Sequence, residues 1–287
     1  MADTKITALT LGVPLSTDIM PYVSDPGGSP VTKKTLVSSL IQEQALPTWF
    51  KYGLTLSNNG SDATNDIDIA VGNCRDSTDA ANMILASALT KRLDAAWAVG
   101  TNQGGLDTGS IANTTYHVWL IKRSDTGVVD ALFSTSATAP TMPANYDYKR
   151  RIGSILRVSA AILPFVQTGN KFMLKTPLKD VDTGSQSNSS VTYTLDFIPT
   201  GIEVESIIWI GAYTTGASSN AYVRSLTAAD VACTNPDAIN LRDSSAGNGN
   251  GAIVNIMTNT SAQIAVRAGG ALTAFYITVH GWRDVNL

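Results

Sequence analysis

The feature of this chain that most restricts its fold is the length and rhythm of its apolar runs. From Lys51 onward, apolar residues recur mostly in alternating stretches of about 5–10 residues, cut by turn-prone segments such as "LSNNGSD", "GTNQGGLDTG", "VDTGSQSNSS" and "SSAGNGNG". Alternation places successive side chains on opposite faces of a strand, so one face can enter a core while the other meets solvent or a partner. The clearest runs are "TTYHVWLIKR" (114–123), "VTYTLDFI" (191–198), "EVESIIWIGAY" (203–213), "AQIAVRA" (262–268) and "LTAFYITVHGW" (272–282). In the last, Phe275, Ile277 and Val279 share one face, and Tyr276, Thr278 and His280 share the other. The stretch 82–93 fits a helix through Leu85, Leu89 and Leu93, but Ile84, Ala86 and Ala88 also alternate, and the surrounding β pattern favours a strand. The predicted fold is mainly β: an antiparallel, jelly-roll-like β-sandwich over residues 47–287, with a division into two lobes near 180–190 as a variant.

Residues 1–46 read differently. Four prolines, Pro14, Pro21, Pro26 and Pro30, oppose regular interior structure, so an extended arm is expected. After it, Leu36, Leu40 and Ile41 have helical spacing, with Thr32 or Thr35 as N-cap and Pro47 beyond the end, which predicts a short amphipathic helix. The arm carries Ile6, Leu9, Leu11, Val13, Leu15, Ile19, Met20, Tyr22 and Val23, too many apolar residues for a purely solvated tail. These are the candidate anchor residues toward a partner surface.

Charge and composition exclude several functions. The chain holds 20 Lys plus Arg against 23 Asp plus Glu, a formal net charge of -3, where nucleic-acid domains usually carry a strong positive excess. No nucleic-acid partner is expected. Neither a signal-peptide pattern at "MADTKITALT" nor a run of membrane-spanning length occurs, so a soluble product without membrane insertion is expected. Cys74 and Cys233 lack metal spacing and read as buried or free thiols. His117 and His280 are the two histidines, each within an expected strand, and no cofactor or metal site is expected. No nucleophile elbow or phosphate loop occurs, and "GNGNG" (247–251) reads as a loop. Glu203 and Glu205 fall on one strand face and do not form a pair across a cleft; "DATNDID" (62–68) matches a calcium loop only loosely. An enzyme is not expected.

Against this background Lys149, Arg150 and Arg151 stand out. In a strand, Lys149 and Arg151 point opposite to Arg150, so the triplet makes no continuous basic surface. Residues 141–175 carry a net +5 and residues 57–79 a net -4. Structural charge pairing of the triplet is therefore expected, with Asp62, Asp66 or Asp68 as first partners, ahead of an anionic ligand.

Taken together, "PANYDYKRRIGSIL", "LDAAWAVGTNQGGLDTGSIANTTYHVWLIKR", "DALFSTSATAPTMP" and "FYITVHGWRD" resemble the recurrent β-rich domain of tailed-bacteriophage tail-fibre and related virion proteins. "ADTKITAL", "MPYV" and "VTKKTLVSSL" are similar to the N-terminal attachment peptide of such proteins. The chain lacks the shaft of long fibres and the β-helix repeats of depolymerase tailspikes. The resemblance implies a structural virion component (tail fibre, collar or baseplate-associated) synthesised in the host cytoplasm. Its partners would be tail, portal or baseplate proteins bound through residues 1–46. It also implies a homo-oligomer, with a trimer favoured, and a host glycan as an alternative partner; polysaccharide cleavage is the weakest alternative.

Overall fold

The structure, a computed structural model, describes residues 19–24, 31–36, 46–214, 220–233, 240–242, 249–270 and 272–287. It is all-β, with no helix among the described residues. The chain divides into two compact units, Met1–Thr48 and Trp49–Leu287.

In the first unit, β1 (Ile19–Ser24) pairs antiparallel with β2 (Val31–Leu36), from Ile19 opposite Leu36 to Ser24 opposite Val31. This corrects two expectations. Residues 31–36 form a strand where the helical spacing of Leu36 with Leu40 and Ile41 predicted the start of a helix. Val31, Thr32 and Thr35 are β-branched, and a cross-strand partner lets such residues outweigh a local helical pattern. The arm also contains regular structure despite its prolines: Pro21 lies within β1, and a two-stranded ribbon leaves each strand a free side where a residue without N–H is tolerated. The rest of the expected helix, 37–45, lies outside the described residues.

The second unit contains two sheet pairs. Its first half holds β3 (Lys51–Gly53), β4 (Leu56–Asn58), β5 (Asp66–Ile69), β6 (Gly72–Arg75), β7 (Asn82–Leu85), β8 (Leu89–Ala96), β9 (Gln103–Leu106), β10 (Thr115–Arg123), β11 (Val129–Ser134), β12 (Tyr146–Val158) and β13 (Ala161–Ile162). Eight of these form one sheet in the order β13-β12-β10-β11-β9-β8-β5-β4, and β3-β6-β7 form a second. Residues 82–93 are not helical, but the single expected strand is two, β7 and the start of β8, broken at Ala86, Ser87 and Ala88. The ladders are antiparallel except at β9, which runs parallel to both β8 and β11.

The second half holds β14 (Phe165–Thr168), β15 (Lys171–Thr183), β16 (Val191–Thr194), β17 (Val204–Tyr213), β18 (Asn220–Arg224), β19 (Leu241–Arg242), β20 (Gly249–Met257), β21 (Gln263–Ala268) and β22 (Ala274–Asp284). The order β14-β15-β22-β17-β20 makes a five-stranded sheet and β16-β21-β18-β19 a four-stranded one. Residues 249–251 of the expected "GNGNG" loop instead begin β20, because Gly249 and Gly251 pair with Tyr213 and Gly211 of β17.

Alternation decides what is buried. Phe275, Ile277 and Val279 are buried and Tyr276, Thr278 and His280 half-buried. One apolar core runs through both halves, from Leu54, Leu56 and Ile67 through Tyr116 and Ile152 to Phe172, Ile210, Phe275 and Trp282. Phe172 stacks on Trp282 with centroids 5.4 Å apart, and Leu56 N–H donates to Gln167 Oε1 at 2.7 Å across the halves. A second small core of Trp119, Ile121, Leu132 and Tyr146 lies apart from the main one, so β10 is buried on both faces. A strand buried on both faces can present polar side chains only where each finds a partner.

Candidate functional site

The site begins on β12, which carries Lys149, Arg150 and Arg151 beside β10. Arg151 lies opposite Trp119, but Gly153 lies opposite Val118, so Ile152 is an extra residue that bulges the strand. The three cations go to three different places. Lys149 places its ammonium 5.8 Å from the Trp119 ring centre. Arg151 is buried and forms a two-pronged ion pair with the fully buried Asp284: Nη2 donates to Oδ1 at 3.0 Å and Nη1 to Oδ2. Arg150, only 3% exposed, stacks its guanidinium on the Trp49 ring, 4.8 Å from its centre. Among the described residues the Arg150 side chain makes no hydrogen bond and no ion pair, while its backbone belongs to the β10–β12 ladder.

Charge pairing within the chain therefore holds for Arg151, but the carboxylate corrects the expectation. Asp284 is 133 residues away in sequence. The acidic stretch first proposed is otherwise engaged: Asp62 accepts from Thr64 N and Asn65 N at 3.0 and 3.1 Å, and Asp68 accepts from Asn59 Nδ2 and Thr90 Oγ1 at 2.8 and 2.7 Å. Asp66 lies on β5, near the far edge of the sheet from β12, which puts this acidic patch out of reach of the triplet. Its pKa is raised, mainly by burial.

A Ser–His–Asp set surrounds the Arg151 pair. His117 Nδ1 lies 2.9 Å from Ser154 Oγ, and Arg151 Nη1 reaches the same oxygen at 3.4 Å. The set is not wired for acyl transfer. Asp284 pairs with Arg151 instead of orienting His117, and Ser154, His117 and Asp284 are all 0% exposed, so no substrate reaches them. Gly201 covers the His117 Nε2 edge, where an added Cβ would lie 3.0 Å from that nitrogen. Burial, with the charge of Arg151 adding to it, pushes the His117 pKa down to about 4. His280 is half-buried on the outer face of β22. No group of metal-ligating side chains occurs among the described residues.

Two cavities open beside Arg150, about 280 and 470 Å³ in volume, and they share Trp49, Arg150 and Asn286. Ser77, Thr138, Trp119 and Arg151 line the first, and Leu287 and Val285 the second. Trp49 is 66% exposed and sits in the left-handed region at φ 65°, a conformation that costs a non-glycine residue roughly 1–2 kcal/mol. Burial lowers the pKa of both Arg150 and Lys51, with neighbouring cations adding to the effect. The acids at hand are used up: Asp284 by Arg151 and by Asn286 N at 3.1 Å, Asp76 by Ala80 N and Ala81 N at 2.6 Å and by Thr78.

Sequence reasoning missed a second buried cation. Lys91 on β8 is 0% exposed and lies 3.2 Å from Asp130 of β11, and its ammonium also donates to Ala98 O at 2.7 Å. No local signal marked it, since Lys91 sits in a strand pattern that suits an exposed lysine equally well.

Of the anchor residues, Ile19, Met20, Tyr22 and Val23 lie on β1, while Ile6, Leu9, Leu11, Val13 and Leu15 lie outside the described residues.

No protein-family model matches the chain, and no curated protein does. Among solved structures, a chain from a structure of infectious bursal disease virus, Gx strain, is similar at 12% identity and a TM-score of 0.17, over 82% of this chain and 74% of that one. Similarity at that level carries no argument about function.

Proposed function

We propose that this protein is a non-enzymatic structural component of a tailed-phage virion, fixed to other virion proteins by residues 1–46, with the β body of residues 47–287 forming a homo-oligomer. The observation that carries the reading is the separate unit Met1–Thr48, whose described structure is one two-stranded ladder of six residue pairs. An isolated hairpin is marginal in water, and the apolar residues of this segment gain roughly 25 cal/mol per Å² when covered, so a partner surface is the natural site for them. The sequence resemblance names that surface as a tail, portal or baseplate protein. The body supports the structural role: among its described residues the one Ser–His–Asp set is sealed and wired to an arginine.

Self-association fits the outer face of the five-stranded sheet. There Tyr276, Thr278 and His280 stand half-buried beside Trp209, and the edge strand β20 exposes Ile253 at 62% and Met257 at 37%. Among the described residues β20 is the last strand of its sheet, and a sheet edge with exposed apolar residues invites a second copy. A trimer is favoured by the family resemblance, and several arms on one oligomer bind together through high effective concentration. The test is removal of residues 1–46, followed by light scattering and measurement of incorporation into particles. A folded trimer absent from virions is expected; normal incorporation would place the anchor elsewhere.

A further inference from the structure

Arg150 is a buried cation that lines two cavities and whose guanidinium meets no acceptor among the described residues. A guanidinium carries five N–H donors and a charge that cannot be shed, and leaving such a group buried without an acceptor is costly. The guanidinium carbon lies 4.8 Å from the Trp49 ring centre, and its N–H groups, with no acceptor among the described residues, suit a planar, two-pronged partner. Nearby stand Lys51, Lys149 and Arg151, while the acids Asp284 and Asp76 are both engaged. The local surplus is cationic, and the missing partner is an anion.

We propose that the cavity beside Arg150 binds a sugar acid, a pyranose ring bearing a carboxylate, with Arg150 taking the carboxylate and Trp49 the ring. Three observations select this ligand. One free fork matches a carboxylate in the two-pronged way that arginine favours, and Arg151, the other guanidinium lining the cavity, is committed to Asp284. The remaining lining offers neutral hydrogen-bonding groups, Ser77, Thr138 and Asn286, which suit ring hydroxyls, and a peptide acid would bring backbone groups needing ladder partners. The two cavities, which share Trp49, Arg150 and Asn286, have the size of a small-molecule site, and Trp49 keeps two thirds of its surface open to a ligand. The strained Trp49 backbone holds the indole over Arg150. This inference is independent of the virion reading: its test leaves the arm untouched, so either can fail alone.

The experiment titrates the full chain by calorimetry and ligand-observed NMR with glucuronate and N-acetylneuraminate. Glucose, inorganic phosphate and hexaglutamate serve as comparisons. At least one sugar acid is expected to bind 10-fold or more tightly than glucose, and Arg150→Lys and Trp49→Ala should each weaken that binding 10-fold or more with unchanged far-UV circular dichroism. Trp49 is exposed, so its variant reads out the site even where Arg150→Lys fails to fold. The proposal is overturned if neither sugar acid exceeds glucose, if both variants bind normally, or if phosphate binds more tightly. Tighter binding of hexaglutamate would assign the cavity to a protein partner and overturn it equally.

Discussion

Lys91 on β8 and Arg150 on β12 are both buried cations of one sheet, with β10, β11 and β9 between them, yet their surroundings are opposites. Lys91 has three donors and three acceptors: Asp130 at 3.2 Å, Ala98 O at 2.7 Å and Gly100 O at 3.3 Å, with the Trp97 ring 5.5 Å away. Asp130 in turn accepts from Gly100 N at 2.7 Å and Ala131 N at 2.6 Å. This closed network holds the turn after β8 against β11. Arg150 has an aromatic face and a cavity, and no acceptor among the described residues. Burial alone therefore does not separate a structural charge from a binding one; donor-by-donor accounting does.

The largest test of that contrast is at Lys91. Lys91→Met leaves Asp130 buried without its counter-charge and should cost about 3–5 kcal/mol by urea unfolding, whereas Lys91→Met combined with Asp130→Leu should recover most of the loss. A small effect of the single change would mean that water reaches the pair, and the contrast with Arg150 would collapse.

His117 gives the next effect, through pH. Its pKa is about 4 in the folded protein, against roughly 6.5 when unfolded. Between these values the unfolded chain binds the extra proton, so stability is complete above about pH 6.5 and falls as pH drops toward 4, by on the order of 3 kcal/mol. Asp180, half-buried with its carboxyl pushed up to about 6 mainly by burial, acts in the opposite sense over the same window, losing stability as pH rises. The difference between wild type and His117→Gln, followed from pH 7 to 4, isolates the histidine. A flat difference would show that water enters around Nε2 and that this polar network is looser than its packing implies.

The smallest effect is expected at Arg150 itself. Arg150→Met removes a desolvated charge with no counter-ion, so stability should change by no more than about 1 kcal/mol in either direction, since the lost stacking and the relieved burial offset each other. A loss near that of Lys91→Met would show that Arg150 has a structural partner and would end the distinction.

Much of this was legible from local pattern. The ranges 114–123, 203–213 and 262–268 lie within a residue of β10, β17 and β21, and the two faces of β22 were separated correctly. The pattern failed at Val31–Leu36, where a helical spacing of three residues was outweighed by pairing with β1. It also missed that Asp284 is the partner of Arg151, because like-for-like charge balance between segments carries no information on register.

The sequence alone determined that this chain is built of strands, which face of β22 turns inward, and that Lys149, Arg150 and Arg151 need separate explanations, because side-chain alternation is a property of adjacent residues. The tertiary structure alone decided that Arg151 meets Asp284, that Lys91 meets Asp130, and that Arg150 is left facing a cavity beside Trp49. Those outcomes depend on which distant strands become neighbours and in what register, and a single bulged residue at Ile152 shifts that register in a way no local spacing reports.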